Sequence, residues 1–319
     1  MNVIEHIKED SHLISFEITP PERGGEIDRE LKVVEELKKY NPSFIQITSR
    51  ASEIEYKETQ EGLYQKRIVR KRPGTSILCA RIQYEHQIDT VSHILCRGFT
   101  QQETEDILIE LNYGNIKNVF AVRGDENVNN RKLDFGRTIN ENASQLIKQI
   151  DNMNKGKYLE DIVEAKRTNF CIGGACYPEK HFSSPNLQTD LDFLKEKIDN
   201  GMQYAITQMF FSNNKYFEFL EKCRQQGITI PILPGITTLV SKSQLYGKNG
   251  IPSRFNCVIP YELSRKMINA KEEDVKKISI EFATKQAQDL IEQKARGVHF
   301  FVYKNTNSTL EVLKNIRSD

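Results

Sequence analysis

Two carboxylates stand where short apolar runs of strand length stop. Leu13-Ile14-Ser15-Phe16 leads into Glu17, with Pro20 and Pro21 close behind, and Asn118-Val119-Phe120-Ala121-Val122 ends in Arg123-Gly124-Asp125. Runs of β-branched and aromatic residues of that length read as buried strands. Parallel α/β folds gather their chemistry at strand C-termini. Other runs behave alike. Phe44-Ile45-Gln46-Ile47 leads into Thr48, Val91-Ser92-His93 carries an imidazole, one run ends in Tyr177-Pro178-Glu179-Lys180-His181, and another holds Gln208 before Met209-Phe210-Phe211. Buried polar groups are costly unless partnered, so their recurrence at strand ends points to a shared ligand site. Beside apolar Phe16 and Ile18, the neutral form of Glu17 is expected to be favoured by desolvation, as a general acid requires. Asp125, close to Arg123, is expected to stay ionised, so the two carboxyls can take different roles.

For these ends to converge, the strands must lie parallel. Candidate strands at 13–18, 44–48, 91–96, 119–122, 170–175, 204–211, 230–233 and 298–303 alternate with amphipathic segments. Thr100 and Glu103 form a capping-box pattern. Asn186 precedes Leu187, Leu191, Leu194 and Ile198 at helical spacing, with Gly201 as the stop, and a long helix is expected over about 272–296 before Gly297. About eight strand–helix units predict an α/β fold, a single (β/α)8 barrel over residues 1–319. A doubly wound sheet is the alternative, but no Gly-x-Gly-x-x-Gly follows any strand. The charged stretch 53–74 reads as a surface β-hairpin inserted into the barrel and turning near Gly62, and 126–139 as a polar loop beside the site.

Composition narrows the function classes. With 45 basic and 44 acidic side chains among 319 residues, no global field favours nucleic acid or an anionic membrane. No apolar run approaches the roughly 20 residues of a membrane span, and the first ten residues lack a signal-peptide core, so a cytoplasmic protein is expected. Cys79, Cys96, Cys171, Cys176, Cys223 and Cys257 show no Cys-x-x-Cys pairing and read as buried free thiols rather than metal ligands.

Several strings together resemble the methylenetetrahydrofolate reductase family in its short bacterial form. They are Ser15-Phe16-Glu17-Ile18-Thr19-Pro20-Pro21, Val122-Arg123-Gly124-Asp125, Tyr177-Pro178-Glu179-Lys180-His181, Ile206-Thr207-Gln208-Met209-Phe210-Phe211, Pro234-Gly235-Ile236 and His299-Phe300-Phe301. The resemblance implies a barrel carrying noncovalent FAD. It implies ping-pong reduction of 5,10-methylenetetrahydrofolate to 5-methyltetrahydrofolate by NAD(P)H, supplying methyl groups for methionine synthesis, in a homo-oligomer. By the same resemblance Glu17 is the general acid and Asp125 the electrostatic partner of flavin and folate. Thr48, His93, Arg123, Gly124, Ala143, Tyr177, His181, Asp190 and Lys197 join Asp125 around FAD, while Gln208, Gln244 and Lys304 contact the folate.

The chain departs from the family pattern near the flavin. Ser49, followed by Arg50, stands where Tyr is usual, Ser92 where Pro is usual, Arg97 and Cys176 where small residues are usual, and Asn305 where an Arg is expected beside Lys304. Arg50 and Arg97 are suited to meet phosphate. These departures motivate an alternative, a non-catalytic or weakly FAD-binding relative acting as a binding or structural partner. For the basic run 66–72, solvated charge is preferred over nucleic-acid binding, with a folate polyglutamate tail or dinucleotide phosphate on Arg70 and Arg72 as a further option.

Overall fold

The computed structural model describes residues 1–10, 13–124, 135–248, 250–302 and 306–317. Its strands are β1 (Ile14–Ile18), β2 (Phe44–Ile47), β3 (Glu53–Glu58), β4 (Tyr64–Val69), β5 (Thr90–Leu95), β6 (Asn118–Val122), β7 (Cys171–Cys176), β8 (Tyr204–Thr207), β9 (Ile232–Leu233), β10 (Gly235–Ile236) and β11 (Val298–Phe301). The helices are α1 (Val3–Glu9), α2 (Asp28–Lys38), α3 (Thr75–Arg81), α4 (Gln101–Tyr113), α5 (Ala143–Asn154), α6 (Leu187–Asp199), α7 (Asn213–Gln225), α8 (Ile251–Phe255), α9 (Tyr261–Asn269), α10 (Glu272–Glu292) and α11 (Thr306–Arg317).

The large sheet runs β10-β11-β1-β2-β5-β6-β7-β8-β9, parallel at every junction. Pro234 divides β9 from β10, which are two halves of one stave. The first half pairs with β8 and the second with β11, so the sheet closes into a barrel of eight staves. Proline has no N–H to donate, but its carbonyl accepts from His299 N at 2.9 Å. The (β/α)8 expectation therefore holds. The hairpin is also present: β3 and β4 pair antiparallel and turn through Gly62, which takes φ +75°.

Alternation along each strand separates two cores. Leu13, Phe44, Val91, Phe120, Tyr204, Ile206 and Leu233 point inward and pack with Val3 and Ile7 of α1, which closes the barrel floor. Asn118 holds that helix, its Oδ1 accepting from Val3 N at 2.9 Å. Phe16, Ile45, Ile94, Val119, Ile172 and Phe300 point outward, against Leu37, Leu78, Leu108, Ile147, Leu194 and Leu290 of the surrounding helices. Removing each such side chain from water is worth about 1.5–3 kcal/mol.

The helix signals act where the sequence places them. Thr100 Oγ1 accepts from Glu103 N while Glu103 Oε2 accepts from Thr100 N, and Asn186 Oδ1 accepts from Thr189 N. Two boundaries differ from expectation by more than two residues. The run 204–211 leaves the sheet after Thr207, because Phe210 stacks on Tyr216 of α7 at 5.5 Å and Phe211 meets Phe282 of α10 at 6.3 Å. Its apolar second half serves helix packing. The long helix ends at Glu292, since Lys294 turns left-handed at φ +59° to lead the chain back toward β11.

Inside the barrel the Tyr204 ring lies across Gly173, where an added Cβ would sit 2.3 Å from its Cζ. Gly173→Ala is expected to cost about 1–3 kcal/mol through overpacking of a rigid ring. Urea unfolding checks this, and a variant as stable as the parent would contradict the packing described.

Candidate active site

Glu17 is the last inward-facing residue of β1, in register with Gln46 of β2 and Phe301 of β11. Phe16 and Ile18, its neighbours in sequence, face the outer core by the same alternation. What surrounds the carboxylate is polar. Glu17 Oε2 lies 3.4 Å from His93 Nε2, and the Gln46 amide contacts the same imidazole nitrogen. His93 stacks on Phe120 at 5.2 Å, which fixes the ring plane. On β11, His299 Nδ1 shares a hydrogen bond with Ser15 Oγ at 2.8 Å and packs against Phe44 and Phe301. His299 Nε2 and Gln46 Oε1 are buried without a partner among the described residues.

This environment corrects the expectation of a neutral Glu17. Burial pushes its pKa up, but hydrogen bonding and charge from His93, with His299 and Arg50, outweigh burial and hold it below the ordinary carboxylate value. His299 behaves oppositely to an exposed imidazole. Burial pushes it down to about 4, with Glu17 opposing the shift and His93 adding to it.

The residues implied for the flavin form a second group along the same rim. Thr48 follows β2, its carbonyl accepting from Thr75 Oγ1 while its own hydroxyl is buried without a partner among the described residues. Arg123 and Gly124 follow β6. Gly124 takes φ +89°, and Arg97 N donates to Arg123 O at 3.0 Å, laying the β5–α4 connection alongside. Ala143 opens α5 behind its N-cap Asn142. Tyr177 follows β7 and meets the His181 ring edge-on at 4.6 Å. The Asp190 carboxylate accepts from His181 N and from Ser184 Oγ, so it braces the turn that presents His181. Lys197 Nζ donates to Ala175 O at 2.7 Å; burial pushes its pKa down, with Asp190 opposing. Burial raises the Tyr177 hydroxyl, Asp190 adds to that rise, and Arg123 opposes it, so these three groups share one neighbourhood.

The two glutamines implied for folate are partly committed to their own loops. Gln208 Oε1 accepts from Met209 N at 2.9 Å. Gln244 Oε1 accepts from Val240 N at 2.5 Å and Ser241 N at 3.2 Å, capping the short turn at 242–244. Their amide nitrogens are the ends not used in these bonds. Asp125 and Lys304 lie outside the described residues, as do Asn305 and most of the polar loop expected at 126–139. Ser15, Gln46 and His299 belong to the site although residue type alone did not single them out. Their signal is the two-residue spacing Ser15–Glu17 and Gln46–Thr48, which puts each pair on one strand face.

The chemistry of this rim fits FAD. It offers an unpartnered buried hydroxyl at Thr48, an aromatic edge at Tyr177 and His181, side-chain-free backbone at Gly124, and the cations Arg123 and Lys197.

Comparisons with known proteins agree with the geometry. The family model described as methylenetetrahydrofolate reductase matches residues 2–317. Methylenetetrahydrofolate reductase (NADH) 1 of Arabidopsis thaliana is 26% identical over 99% of this chain and 51% of its own length. The chain thus spans about half the length of the first plant and yeast relatives it matches. The 5,10-methylenetetrahydrofolate reductase of Buchnera aphidicola subsp. Acyrthosiphon pisum is 26% identical over 93% of this chain and 89% of its own. Among solved structures, a Clostridium thermocellum protein described as binding two copies of 5-methyl-5,6,7,8-tetrahydrofolic acid superposes with a TM-score of 0.59. It is 14% identical, with 99% of each chain covered, a likeness of fold.

The buried imidazole makes stability depend on pH. Below about pH 6.5 the unfolded chain gains a proton that folded His299 refuses until about pH 4, so stability falls across that window by about 3 kcal/mol. Glu17, with its lowered value, adds a loss in the same direction at still lower pH, as its folded carboxylate is protonated. Urea midpoints of His299→Asn measured from pH 7 to pH 4 should fall less steeply than those of the parent. Equal slopes would show that His299 does not resist protonation.

Proposed function

Because the chain belongs to the methylenetetrahydrofolate reductase family, we propose that it reduces 5,10-methylenetetrahydrofolate to 5-methyltetrahydrofolate at the expense of NAD(P)H, with FAD as carrier. The observation that carries this reading is Glu17, a strand-end carboxylate facing the barrel mouth with an imidazole and an amide arranged around it. Bound FAD supplies the hydride chemistry between nicotinamide and folate. Arg123, His181 and Lys197 would face its pyrophosphate. Thr48, His93, Gly124, Ala143 and Tyr177 would complete the seat, and Asp190 would act through the turn it braces.

The remaining work belongs to the chain's own side chains. Opening the folate's bridged ring requires a proton on the departing nitrogen and leaves a cationic iminium. Glu17 delivers that proton. His93 Nε2 stands 3.4 Å from the same carboxylate and helps to hold it in place. A substrate seated in the mouth excludes water from the pair and weights the neutral carboxyl. Asp125 favours the iminium by its negative charge. Gln208 and Gln244 offer amide N–H groups to the folate, and Lys304 meets its acidic tail. The product would carry a methyl group toward methionine synthesis, in the cytoplasm. No helix among the described residues is long and apolar enough to cross a membrane.

Curated relatives carry both nicotinamides in their names, NADH in Arabidopsis thaliana and NADPH in Caenorhabditis elegans, so both are tested. Purified protein supplied with FAD should be yellow, bleach anaerobically with NADH or NADPH, and regain colour with methylenetetrahydrofolate. Glu17→Gln should slow the folate half-reaction by about 100-fold or more while sparing the nicotinamide half-reaction. A protein that stays inert with added FAD would overturn the reading in favour of a non-catalytic relative, and a folate half-reaction that ignores Glu17→Gln would overturn the assignment of proton delivery to Glu17.

A further inference from the structure

Outside the seat just described, α3, α4 and the end of β5 enclose a cleft of about 190 Å³. It borders that seat, sharing His93 with the residues assigned to flavin, but Arg70, Ile77, Phe99 and Ile107 have no task in the proposed reduction. Arg70 reaches it from the end of the hairpin, and Ile77, Ile107 and Phe99 give it apolar walls. Ser49 and Ser92 line it too, at positions where the family pattern has the larger rings of Tyr and Pro.

Two groups in this cleft lack what they need. The Arg70 guanidinium lies 5.0 Å over the Phe99 ring, half-buried, with Nε inaccessible and unpartnered. Among the described residues it forms no ion pair, whereas nearby Arg72 is bound by Glu22 and by Pro20 O. Glu103 attracts Arg70 from a distance and Arg23 repels it, while the Glu103 carboxylate caps α4 at Thr100 N. Ser92 is 1% exposed, and its hydroxyl has no oxygen or nitrogen partner, only the weakly bonding Cys79 thiol beside it. A partly desolvated cation and a buried hydroxyl left without partners are both costly, and an anion relieves the first directly.

We propose that this cleft is a second ligand site, which takes a small carboxylate with an apolar body. The carboxylate pairs with Arg70, whose planar fork matches it, and the body lies between Ile77, Ile107 and Phe99. Arg70 is the one Arg or Lys among the lining residues, and Glu110 stands at the rim, so a single negative charge is matched better than a phosphate dianion.

The test is calorimetric titration of the full chain with benzoate, alongside benzamide and inorganic phosphate. Benzoate should bind with a Kd in the millimolar range or below, and neither control should match it. Arg70→Gln should weaken benzoate at least tenfold, and Ile107→Trp should abolish binding by filling the cleft. Both variants should keep the parent's circular dichroism and FAD response, which separates a lost ligand site from a lost fold or flavin seat. Should Arg70→Gln fail to fold, Ile107→Trp alone decides. The proposal is overturned by no benzoate binding, by benzoate binding indifferent to the folded variants, or by benzamide or phosphate binding as tightly.

Discussion

A carboxylate inside a protein must be paired, and the architecture of this barrel is organised around that requirement at Glu17. Desolvation alone would leave the group neutral. The closed parallel sheet instead sets β1 between β2 and β11, with β5 next beyond β2. That order brings Gln46, His93 and His299 around one carboxyl group although they lie far apart in the chain. The strand register cannot slip by one residue without sending Glu17 into the outer core and Phe16 into the mouth. Closure through β9, Pro234 and β10 holds that register, because an open sheet would leave β9 and β10 as free edges.

The same alternation explains why the barrel tolerates a polar interior. Beneath Glu17, Ser15 Oγ and His299 Nδ1 share a hydrogen bond, and below them α1 closes the floor with Val3 and Ile7. His299 remains neutral through burial, so the column does not place a second fixed charge under the site. Tyr204 fills the space that Gly173 leaves open. Stability and chemistry are coupled here: the lowered proton affinities of Glu17 and His299 make the fold lose stability as pH falls, and the same surroundings oppose the proton uptake that the proposed role of Glu17 requires.

The rim shows a division of labour between direct and indirect contact. Asp190 is the clearest case. Its carboxylate is occupied by the His181 backbone and Ser184, so its effect on any ligand passes through the turn it braces. Gln244 likewise spends its carbonyl oxygen on its own turn, leaving the amide N–H groups for other partners. Arg70 and Arg72, adjacent in type and position, have opposite fates because only one has a carboxylate within reach.

Strand-length apolar runs and the Thr100–Glu103 and Asn186 caps suffice to predict the barrel, because period and capping are local properties of the chain. The end of β8 was not legible, since Phe210 and Phe211 are apolar for the sake of α7 and α10, elements that no local window contains. The protonation preference of Glu17 was misjudged for a related reason. Sequence neighbours Phe16 and Ile18 lie on the opposite face of the strand, and the groups that set the pKa come from β2, β5 and β11. Residue types and the lengths of the apolar runs are enough to say which side chains could do chemistry and near which strand ends they stand. Only the tertiary structure decided which of them share a charge, because desolvation and Coulomb interactions depend on distance through space and not on separation along the chain.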